Sequence, residues 1–241
     1  MQDLGKRYTL LTRLPLLQGI SSTELLGWED VLRLDADELP ASRMPLIRQG
    51  DNCSALIYLV EGEMKREHRS ANKTYVACSR LKAPAAIEAD RLFGLNPTYQ
   101  HTYFAQTDVT MLNIRKSQVS NQMMKSEVFR LNLLNMLSAQ AQKRATALIP
   151  RQMNSAEERF RHLIRTLFPD CEGEVELHIH MKELARYIGE SRLTVSHLLN
   201  GWDEAGMLRL GRGHFTIPDI QDFLSDNRPT LNNNTDNEHT T

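Results

Sequence analysis

Apolar positions change rhythm along this chain. Residues 34–114 carry short apolar or β-branched runs separated by turn signals at Pro45, residues 49–52, Glu61-Gly62, residues 70–72 and Asn96-Pro97. Residues 55–60, Ala-Leu-Ile-Tyr-Leu-Val, make the clearest strand, ended by Gly62. Residues 64–68, 73–81 and 102–114 are further strand candidates. Many short strands at nearly regular spacing predict an antiparallel roll or barrel. Before them, residues 8–17 have helical spacing interrupted by Pro15. Ser21-Ser-Thr-Glu24 then reads as a capping box ahead of Leu25, Leu26, Trp28, Val31 and Leu32. Two short amino-terminal helices are expected.

Residues 117–148 contain no glycine or proline and are rich in Gln, Met, Leu, Ala and Lys, so one long helix is expected there. Leu131, Leu134, Ser138, Ala141, Ala145 and Leu148 recur with gaps of three and four, as in a coiled-coil seam. Leu133 and Leu137 lie on another face, suited to the roll. Such a helix can touch both the roll and a second copy of the chain.

Pro150 ends that helix, which makes residues 149–154 the natural hinge. Ser155-Ala-Glu-Glu158 is a second capping box, opening a helix through Phe160, Leu163, Ile164 and Leu167. Residues 175–179 alternate like a strand. Residues 181–200 then show two apolar helical faces, Leu184-Ala185-Ile188 and Val195-Leu198-Leu199. Gly189 between them can take the positive φ of a tight turn, and Ala185 allows close crossing. This is the pattern of a helix-turn-helix. Residues 206–210 and 214–217 flank Gly211-Arg-Gly213, a hairpin in the position of a wing. Residues 218–225 suit one closing helix, and the polar tail from Asn227 is expected to be disordered.

Composition narrows the function. Among 241 residues, 29 basic side chains balance 30 acidic ones, so the whole chain has no bias toward polyanions. No run approaches the roughly 18 apolar residues of a membrane span, and the amino terminus lacks a signal-peptide run. Cys53, Cys78 and Cys171 form neither a disulfide framework nor a C-x-x-C pair. A cytoplasmic protein with no membrane partner is expected. Residues 151–228 hold 10 Lys/Arg against 13 Asp/Glu, while residues 181–214 hold 5 against 4. Affinity for random DNA should therefore be weak.

The residues off the apolar faces of the helix-turn-helix are short or hydrogen-bonding: Ser191, Arg192, Ser196, His197 and Asn200. They suit DNA reading. With the preceding roll and long helix, the chain resembles the Crp/Fnr family of bacterial transcription regulators over roughly residues 10–225. The resemblance is carried by Ile47-Arg-Gln-Gly-Asp51, Leu56-Ile-Tyr-Leu-Val-Glu-Gly62 and Leu137-Ser-Ala-Gln140. Ser191-Arg-Leu-Thr-Val-Ser-His-Leu-Leu199 and the wing add to it. It implies an α+β fold: an antiparallel, cyclic-nucleotide-binding-like β-roll, a dimerisation helix and a winged helix-turn-helix. The expected divisions are residues 1–116, 117–149, 150–226 and a tail at 227–241.

The resemblance also implies a homodimer on an inverted repeat of double-stranded DNA, with RNA polymerase as a further partner. Arg192 falls at the family's guanine-reading position and His197 at a second base-facing one. Lys182, Ser191, Thr194 and Arg212 suit phosphates, with Ser196 and Asn200 beside them. Leu193 replaces the family's frequent glutamate. Leucine cannot accept from cytosine N4 but can pack on a thymine methyl, so a divergent half-site is expected.

At the sensor end, Ile87-Glu-Ala-Asp-Arg-Leu-Phe93 stands where cyclic-nucleotide binders of the family carry a Gly-Glu-Leu turn. His101-Thr102 replaces their Arg-Ser pair, and Leu148-Ile149 their Thr-Ser pair. Cyclic AMP is not expected. Glu88, Asp90, His101 and Thr102 mark the candidate effector pocket. Haem stays open, since His68 or His101 could serve as axial ligand. No cofactor, catalytic residue or metal ligand is assigned. His178-Ile-His180 is read as a structural pair ahead of an accidental metal site. The alternatives are a ligand-free regulator whose roll is a dimerisation scaffold, and, further off, a β-roll metal enzyme.

Overall fold

Ala55–Glu61 (β3) is buried at five successive positions, Leu56 to Val60, because it runs through the middle of a sheet with protein on both faces. In a computed structural model the described residues are 9–28, 30, 32, 37–148, 153–169 and 171–225. The roll strands are Asp37–Leu39 (β1), Pro45–Ile47 (β2), β3, Glu63–Arg69 (β4), Tyr75–Lys82 (β5), Ala85–Ile87 (β6), Thr102–Ala105 (β7) and Val109–Arg115 (β8). One sheet has the order β1-β8-β3-β6, and β4, β5, β7 and β2 belong to the other. All pairings in both sheets are antiparallel. The expected roll is present. Leu56, Tyr58, Leu59, Met64, Tyr103 and Ile114 fill its core.

Several elements differ from the expected ones. Residues 102–114 form two strands, because Gln106 and Thr107 turn back to hydrogen-bond the Glu63 carbonyl. Among the described residues of the amino terminus, helical geometry covers 9–11, and Ser22–Leu26 (α1) is a five-residue helix ending at Gly27. Its Ser21 side chain accepts from the Glu24 amide, as expected of an N-cap.

The single helix expected over 117–148 is broken. Lys116–Asn121 (α2) and a 3₁₀ turn at Met123–Lys125 precede Glu127–Leu148 (α3). Ser126 decides the break: it is buried, extended, and its hydroxyl accepts from the Phe129 amide, restarting the helix. Phe129 and Leu133 plant α3 on the roll, where Trp28 meets Phe129 edge to face at 6.3 Å.

The carboxy-terminal part comprises Ala156–Leu167 (α4), Val175–Ile179 (β9), Met181–Ile188 (α5), Arg192–Glu204 (α6), Arg209–Gly211 (β10), His214–Ile217 (β11) and Ile220–Leu224 (α7). The Ser155–Glu158 capping box is reciprocal. Phe160, Trp202, Phe215 and Phe223 form an aromatic core, with Phe160 and Trp202 rings 4.8 Å apart. Residues 206–208 precede the wing strands without joining them. The expected hinge and tail fall largely outside the described residues, with only residues 153 and 154 of the hinge included.

One sheet crosses the whole molecule. Strand β9 pairs with β11 on one side and with β5 of the roll on the other, giving the order β10-β11-β9-β5-β4-β7-β2. Ala77 of β5 is thereby buried in the core of the winged part.

Candidate nucleic-acid interface

The reading head is built by two crossing helices. Leu184, Ala185 and Ile188 of α5 and Val195, Leu199 and Trp202 of α6 are buried against one another and α4. Gly189 takes φ 67°, and its amide and that of Glu190 close the end of α5 onto Arg186 and Ala185 carbonyls. Arg159 on α4 pins this turn: its Nε donates to the Ile188 carbonyl at 2.8 Å and a terminal nitrogen to the Glu190 carboxylate. No sequence signal marked Arg159, whose role depends on α4 lying beside the turn.

With one face of α6 spent on the core, the opposite face is presented outward. Arg192, Leu193, Thr194, His197 and Asn200 are exposed and Ser196 is half-buried. Leu193, His197 and Asn200 share a stripe at i, i+4 and i+7. Leu193 is 69% exposed, unusual for a leucine on a helix with a core face beside it. Ser191 is the N-cap: its Oγ accepts from the Thr194 amide at 3.0 Å and meets Thr194 Oγ1 at 2.8 Å. The two residues expected at phosphates are thus also bonded to one another. Lys182 is exposed on α5, and Arg212 is exposed in the two-residue turn joining β10 to β11.

Charge at the head is arranged by pairing. Of its acidic groups, Glu183 pairs with Arg186 at 2.7 Å, Glu190 pairs with Arg159, and Asp203 accepts from the Leu210 amide at 3.1 Å. Lys182, Arg192 and Arg212 are exposed on this surface, which suits a polyanion.

Residues 158–224 match the family model of the Crp-like helix-turn-helix domain. The carboxy-terminal domain belongs to that family. Joined to its roll and long helix, this Crp-like domain makes the chain a DNA-binding transcription regulator of the Crp/Fnr type. Solved structures similar to the chain include the catabolite activator protein of Thermus thermophilus, 19% identical, with 87% of this chain and 98% of that one covered and a TM-score of 0.49. DNR from Pseudomonas aeruginosa is 18% identical over 90% of this chain and 95% of that one, with a TM-score of 0.41. FixK2 from Bradyrhizobium japonicum is 13% identical over 79% and 96%, with a TM-score of 0.45. No curated protein matches the chain.

At the sensor end the structure brings Glu88 and His101 together and leaves Thr102 out. Glu88 has left-handed backbone geometry, φ 39°. Its carboxylate accepts from the Gln100 amide at 2.6 Å, the His101 amide at 3.0 Å, His101 Nδ1 at 2.6 Å and the Tyr103 hydroxyl at 3.1 Å. Burial pushes this carboxyl up. The His101 hydrogen bond and charge, the Gln100 amide and the Tyr103 hydroxyl outweigh burial and hold it below the usual carboxylate range.

Asp90, one turn away, pairs with Arg144 of α3 at 2.9 Å and Arg91 at 3.5 Å. Thr102, on the opposite face of β7, accepts from the Gln49 amide at 3.1 Å. Tyr103 and Arg144 were not singled out by sequence: Tyr103 follows the His101-Thr102 pair but reaches Glu88 only through strand alternation, and Arg144 comes from the distant long helix. His68 lies beside the cluster, its ring 5.6 Å from His101 and its Nδ1 3.0 Å from the Gln100 carbonyl. Leu148 and Ile149, the other expected departures, lie outside the described side chains.

Proposed function

We propose that this regulator acts as a homodimer in the cytoplasm, placing two copies of α6 into successive major grooves of an inverted repeat. The half-sites would lie about 34 Å apart. The observation that carries this reading is the outward stripe of α6, held rigid by Gly189 and Arg159 behind it. Arg192 donates two hydrogen bonds to a guanine, His197 donates to a purine N7, and Leu193 packs on a thymine methyl. Lys182, Ser191, Thr194 and Arg212 hold phosphates, with Ser196 and Asn200 at the edge of the contact. Contact with RNA polymerase follows from the family resemblance. The protein works by binding, not by catalysis.

The dimer reading rests on α3. Leu131 and Leu134 are 52% and 58% exposed, and Ser138, Ala141 and Ala145 continue the same uncovered stripe. Leu133 and Leu137 meanwhile pack on the roll. A second α3 is the natural cover.

The Glu88 cluster favours control without a cyclic nucleotide. Its amide and side-chain donors are already taken by an internal carboxylate, and a phosphate brought to this corner would meet that charge. The four candidate effector residues, Glu88, Asp90, His101 and Thr102, are each satisfied within the chain. This supports the ligand-free regulator beside the reading in which an unidentified effector acts at the roll.

Selection of binding sites from random duplex DNA with native protein and with Arg192→Ala tests the proposal. Native protein should return a two-fold symmetric site. The variant should lose preference for guanine at one position per half-site, at a cost of about 1–3 kcal/mol. Unchanged sequence preference would remove Arg192 from the reading head.

A further inference from the structure

The sheet that crosses the molecule carries metal-binding side chains away from both sites described above. Cys78 on β5 stands opposite Glu176 on β9, and His178 on β9 stands opposite His214 on β11. Strand alternation puts all four on one face. His178 Nε2 lies 2.9 Å and His214 Nε2 3.6 Å from the same Glu176 oxygen, with the imidazole centroids 5.0 Å apart. The Cys78 sulfur, a Glu176 oxygen and a His178 nitrogen are all within 4.8 Å of one another. Cys78 is buried at the floor, while Glu176, His178 and His214 are half-buried walls.

The sequence singled out His178-Ile-His180, but His180 is exposed at the start of α5 and takes no part. His178 meets Glu176, two residues earlier on its own strand, together with Cys78 and His214 from the neighbouring strands, and no spacing could reveal that cross-strand meeting. The charges flanking the cluster include Lys65 and Glu67 of β4, paired with each other at 2.8 Å, and Arg80 of β5, paired with Glu174 at 2.7 Å.

We propose that Cys78, Glu176 and His178, with His214 as fourth donor, form a site for a divalent transition ion of the zinc class. A thiolate, imidazoles and one carboxylate are the mixed donor set that tetrahedral zinc takes, whereas calcium and magnesium select oxygen alone. With metal–ligand bonds of about 2.0–2.3 Å, Cys78, Glu176 and His178 need only a modest inward closure, and His214, 3.6 Å from the Glu176 oxygen, is the donor that must turn in to complete the set. Binding forms a metal–sulfur bond and releases the Cys78 thiol proton to solvent.

The consequence lies in where the donors come from. Cys78 belongs to the roll, and the other three belong to the winged domain. A bound ion cross-links the two domains across the β5–β9 seam and fixes the reading head in the docked position.

The test uses full-length protein stripped with a chelator, then titrated with cobalt and, in competition, with zinc. Native protein should bind one equivalent, with the charge-transfer absorption of a cobalt–thiolate bond. Cys78→Ser should lose that absorption. Cys78→Ser, His178→Ala and His214→Ala should each bind zinc at least tenfold more weakly, while His180→Ala matches native. Zinc should also slow amide exchange over residues 175–179. Circular dichroism identifies any variant that fails to fold, and His178 and His214 sit on the half-open rim where truncation is tolerated. Absence of stoichiometric binding, or binding left intact in Cys78→Ser and His178→Ala, would overturn the proposal.

Discussion

Tyr75 of the roll and Tyr187 of α5 meet edge to face with their ring centroids 5.9 Å apart, and the Tyr187 hydroxyl shares a 2.9 Å hydrogen bond with Thr74. The pair lies where the sensor end of the molecule touches the reading head. Below it, β9 continues the roll's own sheet, and Arg80 and Arg209 clasp Glu174 from either side at 2.7 and 2.8 Å. The orientation of α6 in this arrangement is set by strand pairing as well as by its own domain.

Truncating that contact should loosen the junction without unfolding either part. Tyr187 is 39% exposed and contributes little to the core. Tyr187→Ala should cost about 0.5–1.5 kcal/mol, the worth of an aromatic pair. Amides of residues 175–179 should then exchange faster, measured by hydrogen exchange and mass spectrometry. Tyr187→Phe, which keeps the ring, should exchange nearly as native. Equal protection in the alanine variant would show that the seam does not depend on this pair.

Leu193 gives a prediction about the operator. Leu193→Glu supplies an acceptor for cytosine N4 in place of a methyl contact. Site selection should shift one position of each half-site from thymine toward cytosine. With about 1–3 kcal/mol per discriminating contact, the preference should change by roughly 5- to 150-fold. An unaltered site would place Leu193 away from the bases.

The Glu88 cluster predicts a pH dependence of stability. Its carboxyl titrates lower folded than unfolded, so the folded state binds fewer protons there. The stabilisation is complete above the ordinary carboxylate value of about 4.3 and disappears as pH falls through the lower folded value. At neutral pH Glu88→Gln should be about 2 kcal/mol less stable in urea unfolding, as hydrogen bonds to a charged acceptor are lost. Once the pH is below the lowered folded value, the native protein and the variant should converge. A gap independent of pH would show that the charge contributes nothing.

The uncovered stripe of α3 predicts self-association. Sedimentation should find native protein dimeric. Leu131→Lys with Leu134→Lys should make it monomeric, with helix content retained, because neither side chain enters the monomer core. A native monomer would redirect the search for what covers Leu131 and Leu134.

Much of the reading head is legible in the chain because its signals are local. Val195, Leu198 and Leu199 repeat at helical spacing, Gly189 meets the turn's demand for positive φ, and Ser155 and Glu158 lie three residues apart. The break at Ser126 was missed, since the pull of helix-forming residues on either side outweighs one serine until Phe129 must be buried against Trp28. The split between Ala105 and Val109 was missed for a similar reason: the turn is held by the Glu63 carbonyl, distant in sequence.

The sequence by itself determined the order of elements and the polar stripe of the recognition helix. Periodicity, capping and turn chemistry act over a few residues, and a chain carries them wherever it folds. Only the tertiary structure decided which distant groups meet. Glu88 with Gln100, His101 and Tyr103, Arg159 with the turn at Gly189, and Cys78 with Glu176 and His178 come from separate segments. Their meetings follow from strand register and helix crossing, which depend on how all the apolar faces pack at once.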